Sequence, residues 1–262
     1  MSERMRDGII QRGKTWSYVV RERDPKTTKT GKTKPRWVGG HPTKKAAKDA
    51  RDAARHNVNW TGAQLRTFLD GLEETGRWAP LWTLAAATGM RRGELMALRW
   101  ADVDLDAGVV HVERSVTQVG QERVYVSPKN HERRDVSIDP RTVATLRTWR
   151  KQQLSERLEW GSAYRGSEDV PWTRQDGRPA TPDCVTKTFA TLTAALEVPR
   201  LKLHELRHSH ATVLLRDGVP VHVVAKRLGH RDPSVTLNVY ADAIPDDDGR
   251  AVDTFSRAVW GA

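Results

Sequence analysis

The sequence predicts an α+β protein: a small three-stranded sheet with one helix, followed by a mostly α-helical domain that contains a small antiparallel sheet. Over the first 40 residues, apolar and polar residues alternate without a helical period, whereas later apolar residues recur mostly at helical spacing. The charge divides the chain at the same place. Residues 1–58 hold 16 Lys and Arg against 6 Asp and Glu, although the net charge of the whole chain is only +11. We therefore divide the chain into modules 1–57 and 58–262.

The composition excludes several classes of protein. The single cysteine, Cys184, rules out an intrachain disulfide and favours a reducing compartment, so we expect a cytoplasmic protein. No run approaches the roughly 18 apolar residues of a transmembrane helix, so we expect no membrane partner. The charged N-terminus argues against a signal peptide.

The first module has the pattern of a small DNA-binding sheet. Its three predicted strands cover residues 8–11, 15–21 and 35–39, and Thr43 is the predicted cap of a helix that runs to about Arg55. A sheet that carries basic side chains can enter a DNA groove, although the same charges also suit an ordinary solvated surface. The candidate DNA-binding residues are Arg12, Lys14, Arg21 and Arg36.

The second module begins with three predicted helices. The first follows a capping box at Thr61, the second covers residues 78–87 and ends at Gly89, and the third covers residues 92–98. Residues 102–106 form a predicted polar connector. Three predicted strands follow, at residues 109–116, 123–127 and 134–138.

The remaining elements are predicted to be helices around one long loop. Pro140 starts a helix that runs to about Leu154, residues 161–179 form a loop, and Thr181 caps the next helix. The last predicted helices cover residues 204–217, 220–228, 235–240 and 250–259.

Several reactive side chains stand in a fixed order along the second module. They are Arg91, Lys129, the run His204-Glu205-Leu206-Arg207-His208, the run Leu228-Gly229-His230, and Tyr240. Two guanidinium groups can neutralise a phosphate diester without a metal. A tyrosine, whose pKa is about 10, can then attack the phosphorus if it has a nearby base and a positive field, and a lysine or imidazole can protonate the leaving oxygen.

These motifs resemble those of tyrosine recombinases of the phage integrase family. The matching segments are Thr88-Gly89-Met90-Arg91-Arg92-Gly93-Glu94-Leu95, Ser127-Pro128-Lys129 before Arg133-Arg134, His204-Glu205-Leu206-Arg207-His208, Leu228-Gly229-His230, and Tyr240. The resemblance covers about residues 58–262. It implies a site-specific recombinase that cuts and rejoins DNA through a 3′-phosphotyrosine, with no metal or other cofactor, for the integration or excision of a mobile element.

The resemblance also assigns a role to each residue of the site. Arg91 and Arg207 hold the scissile phosphate with the help of His230, and Tyr240 is the nucleophile. The remaining assignments are Lys129 as general acid, His204 as general base, and Glu94 and His208 as supporting residues that orient the phosphate-binding groups.

The same resemblance implies partners for the chain. Residues 1–57 resemble an arm-type DNA-binding domain, and the segment after Tyr240 resembles a tail that packs on a neighbouring subunit. We therefore expect double-stranded attachment-site DNA and a homo-oligomer, a tetramer in synapsis. Family members normally carry a helical core-binding domain between the two modules, but the helix ending near Arg55 is followed at once by Trp60.

Two alternatives follow from the same residues. Without a core-binding domain, the chain could be a DNA-binding remnant that no longer cleaves. Separately, His204-Glu205-Leu206-Arg207-His208 matches the H-E-x-x-H pattern, which on a helix brings two histidines to one zinc ion in a metalloprotease.

Overall fold

The computed structural model divides the chain into two compact units, Met1–Val58 and Asn59–Ala262. It describes residues 9–23, 33–48, 59–72, 76–119, 122–126, 133–167, 169–230, 232–240 and 248–261. Lys129, and the part of the first predicted helix beyond residue 48, lie outside the described residues. The α+β fold class is confirmed.

The first unit contains the predicted three-stranded antiparallel sheet, with strand order β1-β2-β3. Its strands are β1 (Ile9–Arg12), β2 (Thr15–Arg23) and β3 (Thr33–His41). The start of helix α1, residues 44–48, is capped as predicted, because the Thr43 hydroxyl accepts a hydrogen bond of 3.0 Å from the amide of Ala46. Ile9, Tyr18 and Ala47 form the small core between sheet and helix.

The second unit is mostly helical, as predicted. Its helices are α2 (Gly62–Gly71), α3 (Ala79–Thr88), α4 (Arg92–Ala97), α5 (Pro140–Trp160), α6 (Pro182–Ala195), α7 (Leu203–Arg216), α8 (Val221–Leu228), α9 (Pro233–Tyr240) and α10 (Asp248–Trp260). The predicted caps at Thr61 and Thr181 are both present. Helix α5 continues beyond its predicted end and stops only at Gly161, whose positive φ of 51° turns the chain away. In the part of the chain that the structure describes, no helix is long and apolar enough to cross a membrane.

Two antiparallel sheets replace the single small sheet that the strand pattern predicts. One contains β4 (Val103–Asp104), β5 (Val109–Val112) and β8 (Arg134–Ser137), and the other is the hairpin of β6 (Ser115–Val119) and β7 (Glu122–Val126). The predicted strand 109–116 is therefore two strands. The chain turns between them at Arg114, whose guanidinium donates to both carboxylate oxygens of Asp102 at 2.6 Å.

The prediction of a polar connector at residues 102–106 was wrong in its first half. Residues Trp100–Asp102 form a 3₁₀ turn, and β4 follows directly. The Asp102 carboxylate closes that turn by accepting a hydrogen bond from the amide of Arg99. Val103 is buried and pairs with Val110, although it lies between Asp102 and Asp104 in a segment whose alternating carboxylates indicate a polar connector.

An aromatic cluster packs the first helices of this unit against α6. Trp60, Phe68, Trp82 and Phe189 are buried with ring centroids 4.9–6.3 Å apart. The amide of Trp60 also donates to the hydroxyl of Ser209 at 2.9 Å. This contact fixes the middle of α7, the helix that carries His204, Arg207 and His208.

Candidate functional site

Two glycines shape the floor of the site. Gly89 ends α3 with a φ of 63°, and Gly229 ends α8 with a φ of 69°, a conformation that other residues rarely adopt. A Cβ atom on Gly89 would also lie 2.8 Å from Cδ2 of His210, and one on Gly229 would lie 2.8 Å from Nη1 of Arg134. Both positions therefore require glycine for conformation and for space.

The carbonyl groups of these two turns hold the predicted phosphate-binding arginines. Arg207 donates to the carbonyl oxygens of Gly89 and Leu228, each at 2.7 Å, and Arg91 donates to that of Gly229 at 3.1 Å. The last carbonyls of a helix carry a partial negative charge, which favours a cation at that place. The ends of α3 and α8 thereby fix both guanidinium groups.

A buried carboxylate connects Arg91 to a third arginine. Glu94 accepts hydrogen bonds from the amide and Nη1 of Arg91 at 2.9 and 2.8 Å, and from both terminal nitrogens of Arg134 at 3.1 and 2.7 Å. Burial alone would raise the pKa of Glu94, but the bonds and charges of Arg134 and Arg91 outweigh it and lower that pKa. The carboxylate is therefore ionised and orients both guanidinium groups.

Positive charge exceeds negative charge in this group, which we call the arginine cluster: Arg91, Arg134 and Arg207 with Glu94. Burial and repulsion by the other two arginines, partly offset by Glu94, lower the pKa of Arg207 to about 9. A guanidinium that is destabilised in this way gains from an added negative charge. The cluster is thus suited electrostatically to an anion such as a phosphate diester.

His230 extends the cluster from the end of α8. Its Nε2 lies 3.0 Å from Nη2 of Arg207, and its Nδ1 lies 2.7 Å from the hydroxyl of Thr236. Because a guanidinium can only donate, Nε2 accepts, so Nδ1 carries the proton and donates to Thr236. Burial and the nearby arginines lower the pKa of His230 to about 4, which agrees with a neutral ring.

Tyr240, the last residue of α9, lies against α7 and α8. Its ring is buried in a cluster with Ala211, Leu215, Val224 and Leu228. Its hydroxyl is 2.6 Å from Nδ1 of His208. Burial raises the pKa of Tyr240 to about 12, although the positive charge of Arg207 opposes that increase.

The two histidines of the H-E-x-x-H pattern lie one turn apart on α7. His204 is exposed, and its ring meets that of His208 edge-on, with centroids 5.0 Å apart. The tyrosine hydroxyl contacts His208, for which the sequence predicts only a supporting role. Among the described residues, no group of three His, Cys, Asp or Glu side chains is arranged to hold a metal, so the geometry does not favour the zinc alternative.

The structure brings together the described catalytic and supporting residues of the second unit, whereas Lys129 lies outside the described residues. Arg91, Glu94, Arg207, His208, His230 and Tyr240 share one site, with His204 at its edge. The predicted DNA-binding residues belong to the first unit. There, Arg12 lies 4.5 Å above the ring of Trp37, Lys14 is exposed in the β1–β2 turn, Arg21 lies in β2, and Arg36 lies in β3.

Sequence reasoning missed three parts of the site: Arg134, Thr236, and the pair of Arg227 and His210. In that pair, Nε of Arg227 donates to Nε2 of His210, whose Nδ1 lies 2.9 Å from the carbonyl oxygen of Ala86. Arg134 had a detectable signal. It shares an inward strand face with Val136, and a buried arginine needs a carboxylate.

Comparison with known proteins identifies the family of the chain. The model of the phage integrase family matches residues 60–246. Similar curated proteins include a "Tyrosine recombinase XerC-like" protein of Caldanaerobacter subterraneus subsp. tengcongensis, 32% identical over 188 residues, and the ICEBs1 integrase of Bacillus subtilis, 28% identical over 173 residues. The alignments cover 67% and 66% of this chain but 48% and 46% of those proteins. The chain thus spans about half the length of these relatives.

Solved structures agree on the fold. The Tn1549 transposon integrase in complex with a circular intermediate DNA gives a TM-score of 0.62 at 20% identity, covering 75% of this chain and 65% of that one. XerA recombinase gives 0.57 at 21% identity, covering 75% and 64%. At these sequence identities, the similarity shows that the fold is shared and shows nothing more.

Proposed function

The chain belongs to the phage integrase family, and we propose that it is a site-specific recombinase that cuts and rejoins double-stranded DNA through Tyr240. The observation that carries the proposal is the arginine cluster, with its excess positive charge, in the same site as a buried tyrosine whose hydroxyl contacts an imidazole. An anion-binding group beside a potential oxygen nucleophile suits phosphoryl transfer.

In the proposed reaction, Arg91 and Arg207 hold the two non-bridging oxygens of the scissile phosphate. Their guanidinium groups are already oriented by Glu94 and by helix-end carbonyls, so little reorganisation is needed when charge builds up in the transition state. His230 assists them from the end of α8, and its contact with Arg207 supports this role.

The bond changes are those of a transesterification. The Tyr240 oxygen gives its proton to His204, the base that the motif resemblance assigns, and attacks the phosphorus. The bond from phosphorus to the 5′ oxygen breaks, and the DNA 3′ phosphate becomes attached to Tyr240. We assign to Lys129 the proton that the departing 5′ oxygen takes up. A 5′ hydroxyl from another strand then attacks the phosphotyrosine and releases Tyr240, so the exchange consumes no cofactor and needs no metal ion.

The partners form part of the proposal. The net charge of the first module supports DNA binding by that module, and the names of the relatives, which are integrases and recombinases, support integration or excision of a mobile element. Strand exchange needs two DNA duplexes, each cut by two chains, so the active form would be a tetramer on DNA.

Covalent capture tests the proposal. Labelled duplex DNA that covers the flanks of the encoding gene is mixed with the chain, and the label that stays on protein in denaturing detergent is measured. The wild-type chain should retain label, and Tyr240→Phe should retain none while it still binds DNA. Binding without retained label in both chains would instead favour a DNA-binding protein that does not cleave.

The contribution of the first module can be tested separately on the full chain. Replacing Arg12 and Lys14 by alanine removes two charges that could each neutralise a phosphate. The slope of log affinity against log salt should then become shallower by roughly 2. An unchanged slope would contradict DNA contact by these two residues.

A further inference from the structure

Arg227, near the end of α8, joins three other elements of the second unit. Its Nε donates to Nε2 of His210 in α7 at 3.1 Å. Its Nη2 donates to the carbonyl oxygens of Ala87 in α3 and Ser137 in β8, at 2.8 and 3.0 Å. Three of the five N–H donors of this guanidinium are therefore used inside the protein. One side chain thus holds α8 against α7, α3 and β8.

Each of these elements also carries or holds an arginine of the cluster. Arg207 belongs to α7 and Arg134 to β8. At the end of α3, the carbonyl oxygen of Gly89 accepts a hydrogen bond from Arg207 at 2.7 Å. In α8, the carbonyl oxygen of Arg227 itself accepts from Nε of Arg134 at 2.9 Å, and that of the next residue, Leu228, accepts from Nη2 on α7 at 2.7 Å. The contacts of Arg227 therefore adjoin the groups that fix two arginines of the cluster.

The last turn of α3 depends on donors from outside the helix. The final carbonyl groups of a helix have no partner within it, so other groups must orient them. Ala87 lies in this turn, and Arg227 donates to its carbonyl oxygen. His210, which accepts from Arg227, donates through Nδ1 to the carbonyl oxygen of Ala86, one residue earlier. Arg227 and His210 together hold the turn that ends at Gly89.

Electrostatic attraction does not account for the place of Arg227. Burial, and next the charge of Arg134, lower the pKa of Arg227, and the charge of Asp139 only partly offsets them. The guanidinium thus occupies a place that is unfavourable for a cation, where hydrogen bonds of defined direction hold it. The planar fork of a guanidinium can serve several acceptors at once, which a lysine cannot do. The geometry of Arg227, more than its charge, is therefore what this place uses.

We propose that Arg227 is a positioning residue, which holds the ends of α3 and α8 and strand β8 in the arrangement that places Arg207 and Arg134 in the cluster. The inference rests on the proposed function, because this arrangement affects a rate only if the cluster holds a reacting phosphate. Arg227 acts through the two arginines and needs no contact with the DNA. A displacement of about 1 Å can slow a reaction by about 10²-fold, so the loss of these contacts should be visible in the rate.

Arg227→Gln and Arg77→Gln form a matched pair for the test. Arg77 is also a half-buried arginine, but it bonds to the carbonyl of Thr173 and to the carboxylate of Glu156, neither of which adjoins a residue of the site. Urea titrations check that both variants fold, and covalent attachment is measured with the labelled duplex DNA described above. At saturating DNA, attachment should slow by about 10²-fold for Arg227→Gln and by less than about threefold for Arg77→Gln. The affinity for DNA should stay nearly unchanged in both.

Two further variants separate geometry from charge and from a general loss of stability. Arg227→Lys keeps the charge but not the planar fork that bonds to three elements, so it should remain at least about tenfold slower than the wild-type chain. Combination with Arg207→Lys measures the coupling between the two positions. If Arg227 acts through the cluster, Arg227→Gln should cost clearly less in the Arg207→Lys chain than in the wild-type chain, whereas independent effects would multiply.

The possible outcomes are distinct. A normal rate for Arg227→Gln, or full recovery by Arg227→Lys, would overturn the inference and leave the proposed function intact. Equal losses for Arg227→Gln and Arg77→Gln, or a loss confined to DNA affinity, would also overturn it. If Arg227→Gln does not fold, Arg227→Lys and its combination with Arg207→Lys provide the same test. Failure of the wild-type chain to attach to any DNA, in the presence of normal DNA binding, would contradict the proposed function and this inference with it.

Discussion

The two halves of the candidate site are held in place by different means. In the arginine cluster, each guanidinium is fixed by backbone carbonyls at helix ends or by the buried carboxylate of Glu94. In the other half, the hydroxyl of Tyr240 is held by a side chain, that of His208, which can itself rotate. The arginine cluster is therefore fixed by backbone carbonyls and a buried carboxylate, whereas the position of Tyr240, the proposed nucleophile, depends on a contact between two side chains.

This difference has a physical consequence for the proposed reaction. Groups that stabilise developing charge are most effective when they need no reorganisation, and helix-end carbonyls provide that rigidity for Arg91 and Arg207. A nucleophile must instead approach the phosphorus and leave it again when the strands are rejoined. The polar contact to His208 is one that a side-chain rotation can break and form again, so it allows that movement.

The largest expected effect comes from breaking the arginine cluster itself. Arg207→Ala should reduce the rate of covalent attachment by about 10³-fold or more, because it removes a charged donor from the transition state. Arg207→Lys keeps the charge but cannot reach the carbonyls of both Gly89 and Leu228 at once, so it should recover only part of the rate. The rate of covalent attachment is measured for both variants. Full activity of either would contradict the role of Arg207 in the arginine cluster.

Arg134 tests whether the buried carboxylate orients the cluster. Arg134→Ala leaves Glu94 buried with Arg91 as its remaining arginine, so the free energy of unfolding should fall by about 3–4 kcal/mol in urea titrations. The double variant Arg134→Ala with Glu94→Gln removes the surplus charge and should recover part of that loss. If the double variant is no more stable than Arg134→Ala, the ion pair is not what holds this part of the cluster.

We predict that the folded protein loses stability in acid because of His210. Burial and the charge of Arg227 lower the pKa of His210 from 6.5 to about 4, so the ring takes up a proton on unfolding between these pH values. This pKa difference contributes about 3 kcal/mol to the free energy of unfolding. The contribution is complete above pH 6.5 and is lost as the pH falls towards 4. Urea titrations from pH 7 to pH 4.5 should show this fall, and His210→Gln should make it shallower.

Part of this slope remains in His210→Gln, because burial and the neighbouring arginines also lower the pKa of His230 to about 4. Glu94 acts in the same direction at lower pH, since its lowered pKa makes it stabilising only while it is ionised. Identical pH dependence in the wild-type chain and in His210→Gln would contradict the neutral buried state of His210.

The smallest expected effect comes from removing the hydrogen bond between Thr236 and His230. Thr236→Val preserves the shape of the side chain but removes the hydroxyl that accepts the proton of His230 Nδ1. One neutral hydrogen bond is worth about 1 kcal/mol, so attachment should slow by roughly fivefold. Thr188→Val is a suitable control, because its hydroxyl bonds to a carbonyl within α6. Equal rates for the two variants would show that Thr236 does not orient His230.

The sequence predicted the parts of the site that depend on local structure. Gly89 and Gly229 each end a helix with a positive φ, and Arg91 and His230 follow them at short range, so local sequence indicates where these side chains lie. The pairing of Glu94 with Arg134 joins residues that are 40 positions apart, and no local pattern specifies it.

The sequence was equally unable to predict that His208 contacts the Tyr240 hydroxyl. His204 and His208 both lie on one face of α7, and the contact depends on how α9 packs against α7. The same limit applies to the break between β5 and β6, where Arg114 contacts Asp102 on an earlier turn. Assignments that depend on a distant element require the tertiary structure.

Identification of the residue that carries the DNA tests the central claim most directly. The covalent complex is trapped, the DNA is trimmed to a short remnant, and the protein is digested with trypsin for mass spectrometry. Cleavage after Arg231 and Arg250 yields a peptide of residues 232–250, in which Tyr240 is the only tyrosine. We predict that the nucleotide remnant is attached to Tyr240 through its 3′ phosphate. Attachment to another residue, or through a 5′ phosphate, would contradict the proposed site and mechanism.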